Sequence, residues 1–180
     1  QLETIIIQAG QGLAYLHEQG WIHCDIKPDN FLLGNDGKVK LIDFALARKT
    51  ARGLMKLLGA RSRTVQGTRS YMAPEQIRME GLDERADIYS FGCMIFELLT
   101  GKLPYAAASP NELLTKHLRT AVPSILATNS NYTSELAALV SRSMAKNRDQ
   151  RPKTMNEFLT SFKHLRVYKV RPKAEDAQES

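Results

Sequence analysis

The chain holds 180 residues, of which 43% are hydrophobic, 24% charged and 7% aromatic. That balance fits one soluble globular domain and gives no support to disorder, collagen-like repeats or a membrane span. At this length roughly 70% of the extended surface can be buried, so no disulfide or structural metal is required. Twenty-five Lys and Arg against nineteen Asp and Glu leave a formal charge of +6, which raises acidic partners and nucleic acid without deciding for either. Cys24 and Cys93 are far apart and lack a C-x-x-C partner, a usage typical of reducing compartments, so a cytoplasmic location is expected. The opening QLETIIIQAG has no basic region ahead of a long apolar run, and the apolar stretch FGCMIFELLT is short and contains Glu97. Neither a signal peptide nor a membrane anchor is expected in this segment.

Leu2, Ile6, Ala9, Leu13 and Leu16 recur at intervals of three and four, which predicts a helix over about 2–18 that Gly20 ends. A polar loop from His23 to Asn30 follows. The apolar runs Phe31 to Leu33 and Val39 to Ile42 flank Asn35-Asp36-Gly37, a turn signal that predicts a β-hairpin. Ala45 to Thr68 shows no sustained period, and seven basic residues (Arg48, Lys49, Arg52, Lys56, Arg61, Arg63, Arg69) stand between Phe44 and Pro74 without an acid. This reads as a long, mobile, basic loop. It lacks aromatic interleaving and zinc spacing, which favours a solvated segment or an acidic-substrate contact over nucleic acid.

Helical patterning returns at about 84–100, where Ile88, Phe91, Ile95, Phe96, Leu98 and Leu99 make the segment apolar around much of its circumference and therefore central, with Gly101 as its stop. Three further helices are predicted: about 110–118 after Ser109-Pro110, about 133–145 capped by Thr133, and about 154–165 capped by Thr154 with Glu157 at the capping-box position. Residues 166–180 read as a solvated, flexible tail. His17 is placed on a helix surface.

The chemistry-bearing stretch is His23-Cys24-Asp25-Ile26-Lys27-Pro28-Asp29-Asn30, with Asp43-Phe44-Ala45 thirteen residues after Asn30 and Ala73-Pro74-Glu75 thirty residues after Asp43. In order and spacing these motifs resemble the H-R-D-x-x-x-x-N, D-F-G and A-P-E motifs of the protein kinases. The resemblance covers nearly the whole chain, and only the lower, helical lobe of that fold. It implies an α+β, predominantly helical architecture with a small β-hairpin at the cleft: residues 1–165 as the C-terminal lobe and 166–180 as the tail.

By the same resemblance Asp25 is the catalytic base that accepts the hydrogen bond of the substrate hydroxyl. Asn30 and Asp43 hold magnesium, or manganese in its place, on the phosphates of ATP; hard oxygen ligands suit such an ion. Lys27 sets a positive charge on the transferring phosphoryl group, Thr68 positions the loop, and Leu32 lies under adenine. Lys27 and Thr68 follow the serine/threonine rather than the tyrosine pattern. His23 and Asp87 are framework residues, and Glu75 with Arg151, in Asp149-Gln150-Arg151-Pro152, resembles the ion pair that ties the activation segment to the lower lobe. The implied reaction moves a phosphoryl group from Mg-ATP to Ser or Thr hydroxyls of protein substrates.

Departures from the family pattern qualify that reading. The glycine-rich loop, the strand lysine with its helix glutamate and the adenine hinge would precede residue 1, and Gly10-Gln11-Gly12 does not replace them because it lacks a third glycine and sits in a helical pattern. The isolated chain is therefore expected to turn over poorly and to expose an apolar cleft face open to self-association or to complementation by an upper lobe. Cys24 stands where many members have a phosphate-receiving arginine, so coupling to phosphorylation, for instance at Thr64, is expected to be weak. A redox role for the Cys24 thiol stays open beside the plainer packing role. Ala45 in place of the D-F-G glycine is expected to restrict a flip of Phe44. The rival functions are a truncated or pseudokinase-like protein-binding module and a small-molecule phosphotransferase of the kinase-like group.

Overall fold

A computed structural model describes residues 1–50 and 67–172. The first helix, α1 (Leu2–Glu18), buries Ile6, Ala9 and Leu13 along the expected stripe. At Gly10 it meets a helix from the far end of the sequence, α6 (Met155–His164), so closely that an added Cβ would sit 2.8 Å from Leu159 Cδ2. That close approach accounts for the glycine, which serves helix packing and not a phosphate loop.

The predicted hairpin forms as β2 (Phe31–Leu33) paired antiparallel with β3 (Val39–Leu41). A second two-stranded pair joins β1 (Trp21–Ile22) to β4 (Arg48–Lys49), and the Thr50 N–H continues it by donating to the Gly20 carbonyl at 2.8 Å. The start of the expected basic loop is therefore a strand; two residues are too few to show a period of their own. Residues 51–66 of that loop, including Arg52, Lys56, Arg61, Arg63 and Thr64, lie outside the described residues.

Helix α2 (Pro74–Ile77) is short and was not legible from periodicity. Helix α3 (Arg85–Thr100) runs through the centre, with every residue from Ala86 to Phe96 buried and Gly101 closing it in the left-handed region. Phe91 ties it to both sides of the protein, meeting Phe158 edge-on at 5.5 Å and Phe31 of the hairpin at 6.4 Å. Helices α4 (Pro110–Arg119) and α5 (Ser134–Ser143) complete the body. The hydroxyls of Ser109, Thr133 and Thr154 accept from the N–H groups of Glu112, Leu136 and Glu157, so the predicted caps of α4, α5 and α6 are in place. Glu157 reaches one residue further back than the capping box expects and accepts from Lys153 N–H at 2.8 Å.

Residues 166–170 depart from the tail expectation. Val167 is buried, Thr133 donates to the Arg166 carbonyl, and Lys169 N–H donates to the Asn131 carbonyl at 2.8 Å while Tyr168 bridges Tyr132. Charge in RVYKVR hid a docked strand-like segment whose adjacent residues Val167 and Tyr168 have partners in the body. Among the described residues no helix is long and apolar enough to cross a membrane.

Candidate active site

The loop from His23 to Asn30 owes its shape to one buried carboxylate. Asp87, near the start of α3 and 1% exposed, accepts from His23 N–H at 2.7 Å and Cys24 N–H at 2.8 Å. These two bonds hold Cys24 at φ 68°, a left-handed conformation that a Cβ-bearing residue takes only when its surroundings impose it. Asp87 takes a third bond from His17 Nε2 at 2.9 Å. His17 is thus buried against the loop's anchor and not on the helix surface; it stands two positions after exposed Tyr15, across the helix from it, and on the stripe with Leu13. His23 is fully buried, with Nε2 3.0 Å from the Ile42 carbonyl.

Above this frame three side chains close on one another. Asp25 Oδ1 accepts from Thr68 N–H at 2.7 Å, Lys27 Nζ lies 3.0 Å from Asp25 Oδ2, and Lys27 Nζ donates to Thr68 Oγ1 at 3.1 Å. Partial burial would raise the Asp25 pKa, but the Thr68 and Lys27 contacts outweigh it and hold the carboxyl below the ordinary range. Gly67 makes this junction: at φ 115°, its missing Cβ would lie 3.0 Å from the Cys24 carbonyl and 3.6 Å from Asp25 Oδ1.

Asn30 is buried and donates Nδ2 to the Asp25 carbonyl at 2.7 Å, which turns its Oδ1 the other way; among the described residues no hydrogen bond occupies that oxygen. The Asn30 carbonyl accepts from Ile42 N–H at 2.9 Å, so Asp43 directly follows a residue tied to Asn30. Asp43 is exposed, at φ 59°, and its Oδ1 takes the Ala45 N–H at 3.2 Å, a local turn that accounts for the left-handed backbone. No group of three His, Cys, Asp or Glu positioned for a metal occurs among the described residues. The amide oxygen of buried Asn30 and the exposed Asp43 carboxylate fit an ion that takes its other ligands from phosphates and water, as magnesium does.

Glu75 and Arg151 form a two-pronged pair at 2.6 and 2.8 Å, both almost fully buried, and Arg151 also donates to the carbonyls of Ala145 and Arg85. Gln76 adds a link the sequence did not reveal. Its Oε1 takes Ala73 N–H and its Nε2 donates to the Cys24 carbonyl, both at 2.9 Å, fastening α2 to the His23–Asn30 loop.

The protein kinase domain family matches residues 1–162. The chain belongs to the protein kinase family. It is 37% identical over 153 residues to the serine/threonine-protein kinase PknB of Mycolicibacterium smegmatis, covering 85% of this chain and 24% of the relative. With PknB of Mycobacterium tuberculosis the identity is 33% over 168 residues, 93% of this chain and 26% of the relative. A probable serine/threonine-protein kinase of Streptomyces coelicolor is 36% identical over 147 residues, 82% and 22%. The chain spans about a quarter of the length of these relatives.

Within the kinase frame, the structure brings Asp25, Lys27, Asn30 and Thr68 together and sets Asp43 beside them. Leu32, by contrast, stands 53% exposed on the hairpin, with Leu33 and Phe44 each 50% exposed. The Phe44 ring lies 5.3 Å from His23, so one side of it is packed. Cys24 is buried, and burial, reinforced by the Asp87 charge, pushes its thiol up to about 12. A thiol held protonated in this way is a packing residue rather than a redox one.

Proposed function

We propose that this chain is the C-terminal lobe, residues 1–165, of a serine/threonine protein kinase that transfers the γ-phosphoryl group of Mg-ATP to Ser or Thr hydroxyls of proteins. The observation that carries the reading is the closed set Asp25, Lys27 and Thr68, in which one carboxylate is oriented by a backbone N–H and by an ammonium that also reaches a hydroxyl. In that role Asp25 orients the acceptor hydroxyl and takes its hydrogen bond. Lys27 offers its charge to the moving phosphoryl group. Thr68, through Gly67, sets the distance between the two and the segment that meets the acceptor. Asn30 and Asp43 are the residues that hold the divalent ion, which neutralises phosphate charge when bound. Leu32 gives adenine an apolar floor.

Cys24 bears on regulation. A neutral, buried thiol in place of an arginine leaves no cation at that position for an activation-segment phosphate, so this kinase is of the non-RD kind and its switch lies elsewhere. The exposed Leu32, Leu33 and Phe44 mark the face that an upper lobe, or a second copy of the chain, covers. Both described cysteines are free, in keeping with a cytoplasmic setting.

The test is transfer of labelled phosphate from Mg-ATP to a protein acceptor by the protein that carries these residues, with Asp25→Asn beside it. Loss of general-base positioning is expected to cost about 10²–10⁴-fold in turnover while nucleotide binding persists. Nucleotide binding without transfer in the parent protein would favour the pseudokinase-like module, and phosphate appearing only on small molecules would favour the phosphotransferase reading.

A further inference from the structure

On the far side of the Glu75–Arg151 pair lies a solvent-facing pocket of about 260 Å³ lined by Glu75, Arg78, Glu80, Lys146, Asn147 and Arg148. Two of its charges have partners. Glu75 is taken by Arg151, and Arg148 donates to the Gly81 carbonyl at 2.6 Å with Asp83 at 3.7 Å. Lys146 differs. Its ammonium has no carboxylate within ion-pair distance among the described residues; it donates to the Tyr105 hydroxyl at 2.8 Å and the Tyr89 hydroxyl at 3.3 Å and lies 4.4 Å from the centre of the Tyr105 ring.

We infer that Lys146 is an acylation site, an amine that reacts with small activated acyl groups such as acyl thioesters reaching it through this pocket.

Three observations converge on it. Desolvating an ammonium without a counter-charge is costly, whereas a neutral amine or amide beside two phenols is not. The same desolvation, opposed by Cys93 and aided by Arg151, lowers the Lys146 pKa to about 8. The groups facing it from other elements do not reverse this: from α3, Tyr89 and Cys93 are neutral with pKa values pushed up by burial, as is Tyr105, and from α4 His117 is held neutral by burial with a pKa near 4. Finally, the site is half-buried and not sealed, with a volume that admits an acetyl or similarly small acyl group.

The step balances without a further reagent. The neutral Nζ lone pair attacks the thioester carbonyl, a C–N bond forms, the C–S bond breaks, and the thiolate leaves while the nitrogen gives up a proton to solvent. What remains is an amide whose N–H and carbonyl have the Tyr105 and Tyr89 hydroxyls as partners, and one uncompensated charge is gone from behind the pair that anchors α2.

The experiment incubates the full chain with acetyl-CoA at pH 7.5, then acetylates all remaining lysines with deuterated acetic anhydride under denaturing conditions and reads the isotope ratio at each lysine by mass spectrometry. Exposed Lys102 and Lys163 are the internal references. At pH 7.5 an amine with a pKa of about 8 is about 200-fold richer in its neutral form than an ordinary lysine, and part of that advantage is lost to lower nucleophilicity and partial burial. Lys146 is expected to react at least about tenfold faster than Lys102 and Lys163 at pH 7.5, with the advantage gone by about pH 10.5. A Tyr105→Phe variant, which keeps the ring and removes the nearer hydroxyl, should retain the preference for Lys146. Reaction at Lys146 no faster than at the reference lysines at pH 7.5 in either protein overturns the inference, as does a preference that does not change with pH.

Discussion

Two carboxylates in this molecule have opposite surroundings. Asp87 is 1% exposed and takes three hydrogen bonds, from His17, His23 and Cys24. Asp43 is exposed and takes one, from the backbone two residues on. The contrast extends to their regions. In the body beneath the His23–Asn30 loop, Glu75 and Arg151 are buried and paired, and α3 is buried for most of its length. The cleft face is left open, with Leu32, Leu33 and Phe44 half in solvent. A framework carboxylate must be fully satisfied because burial otherwise makes it expensive. In the proposed function Asp43 receives an ion, and a carboxylate with that role is left unsatisfied beforehand.

The comparison breaks most severely at the buried end. Arg151→Met strands the buried Glu75 charge, and a loss of about 3–5 kcal/mol is expected from urea unfolding. If the charge and not the lost packing is responsible, Glu75→Leu combined with Arg151→Met recovers most of that loss. A single variant within 1 kcal/mol of the parent protein would show that water reaches the pair.

A smaller break is expected at His17. Removing its bond leaves Asp87 with its two loop donors, so His17→Leu is expected to cost about 1–3 kcal/mol, the range for one unsatisfied buried acceptor. The loop itself should loosen: amide exchange at His23 and Cys24 should speed up, because Asp87 is then free to turn. Unchanged exchange at those two amides would mean that α3 alone orients Asp87 and that His17 only fills space.

The fold was largely written in the spacing of apolar residues. The helices with caps, the hairpin around Asn35-Asp36-Gly37 and the central position of α3 all follow from local pattern. So do the positions, if not the roles, of Asp25, Lys27, Asn30, Asp43 and Thr68, because their motifs are compact in sequence. Contacts between distant residues were harder to see. His17 and Asp87 are seventy residues apart, and a histidine two positions from an exposed tyrosine carries no mark of its partner. Gln76 looks like any polar residue after A-P-E until its two bonds to Ala73 and Cys24 are seen. The strand pair β1–β4 is two residues long on each side, below the length at which alternation can register. Val167 and Tyr168 are flanked by charges that suit a tail, and only the groove beside Asn131 and Tyr132 explains why they dock.

The open end of the comparison gives the smallest effect on stability and the clearest separation of fold from chemistry. Asp43→Asn replaces one carboxylate oxygen by an amide nitrogen at an exposed position while keeping the side-chain oxygen that accepts from Ala45 N–H. Asparagine tolerates the left-handed backbone at φ 59° at least as well as aspartate does. Stability is therefore expected to stay within about 0.5 kcal/mol of the parent protein. Divalent-ion-dependent nucleotide binding, measured by calorimetry on the protein carrying these residues, should fall sharply, because the formal charge facing the ion is gone while nothing in the frame has moved. A variant that unfolds earlier by more than 1 kcal/mol would place Asp43 among the framework carboxylates with Asp87. One that binds Mg-ATP as before would move the ion to other ligands, and the division between a satisfied frame and an unsatisfied site would no longer hold.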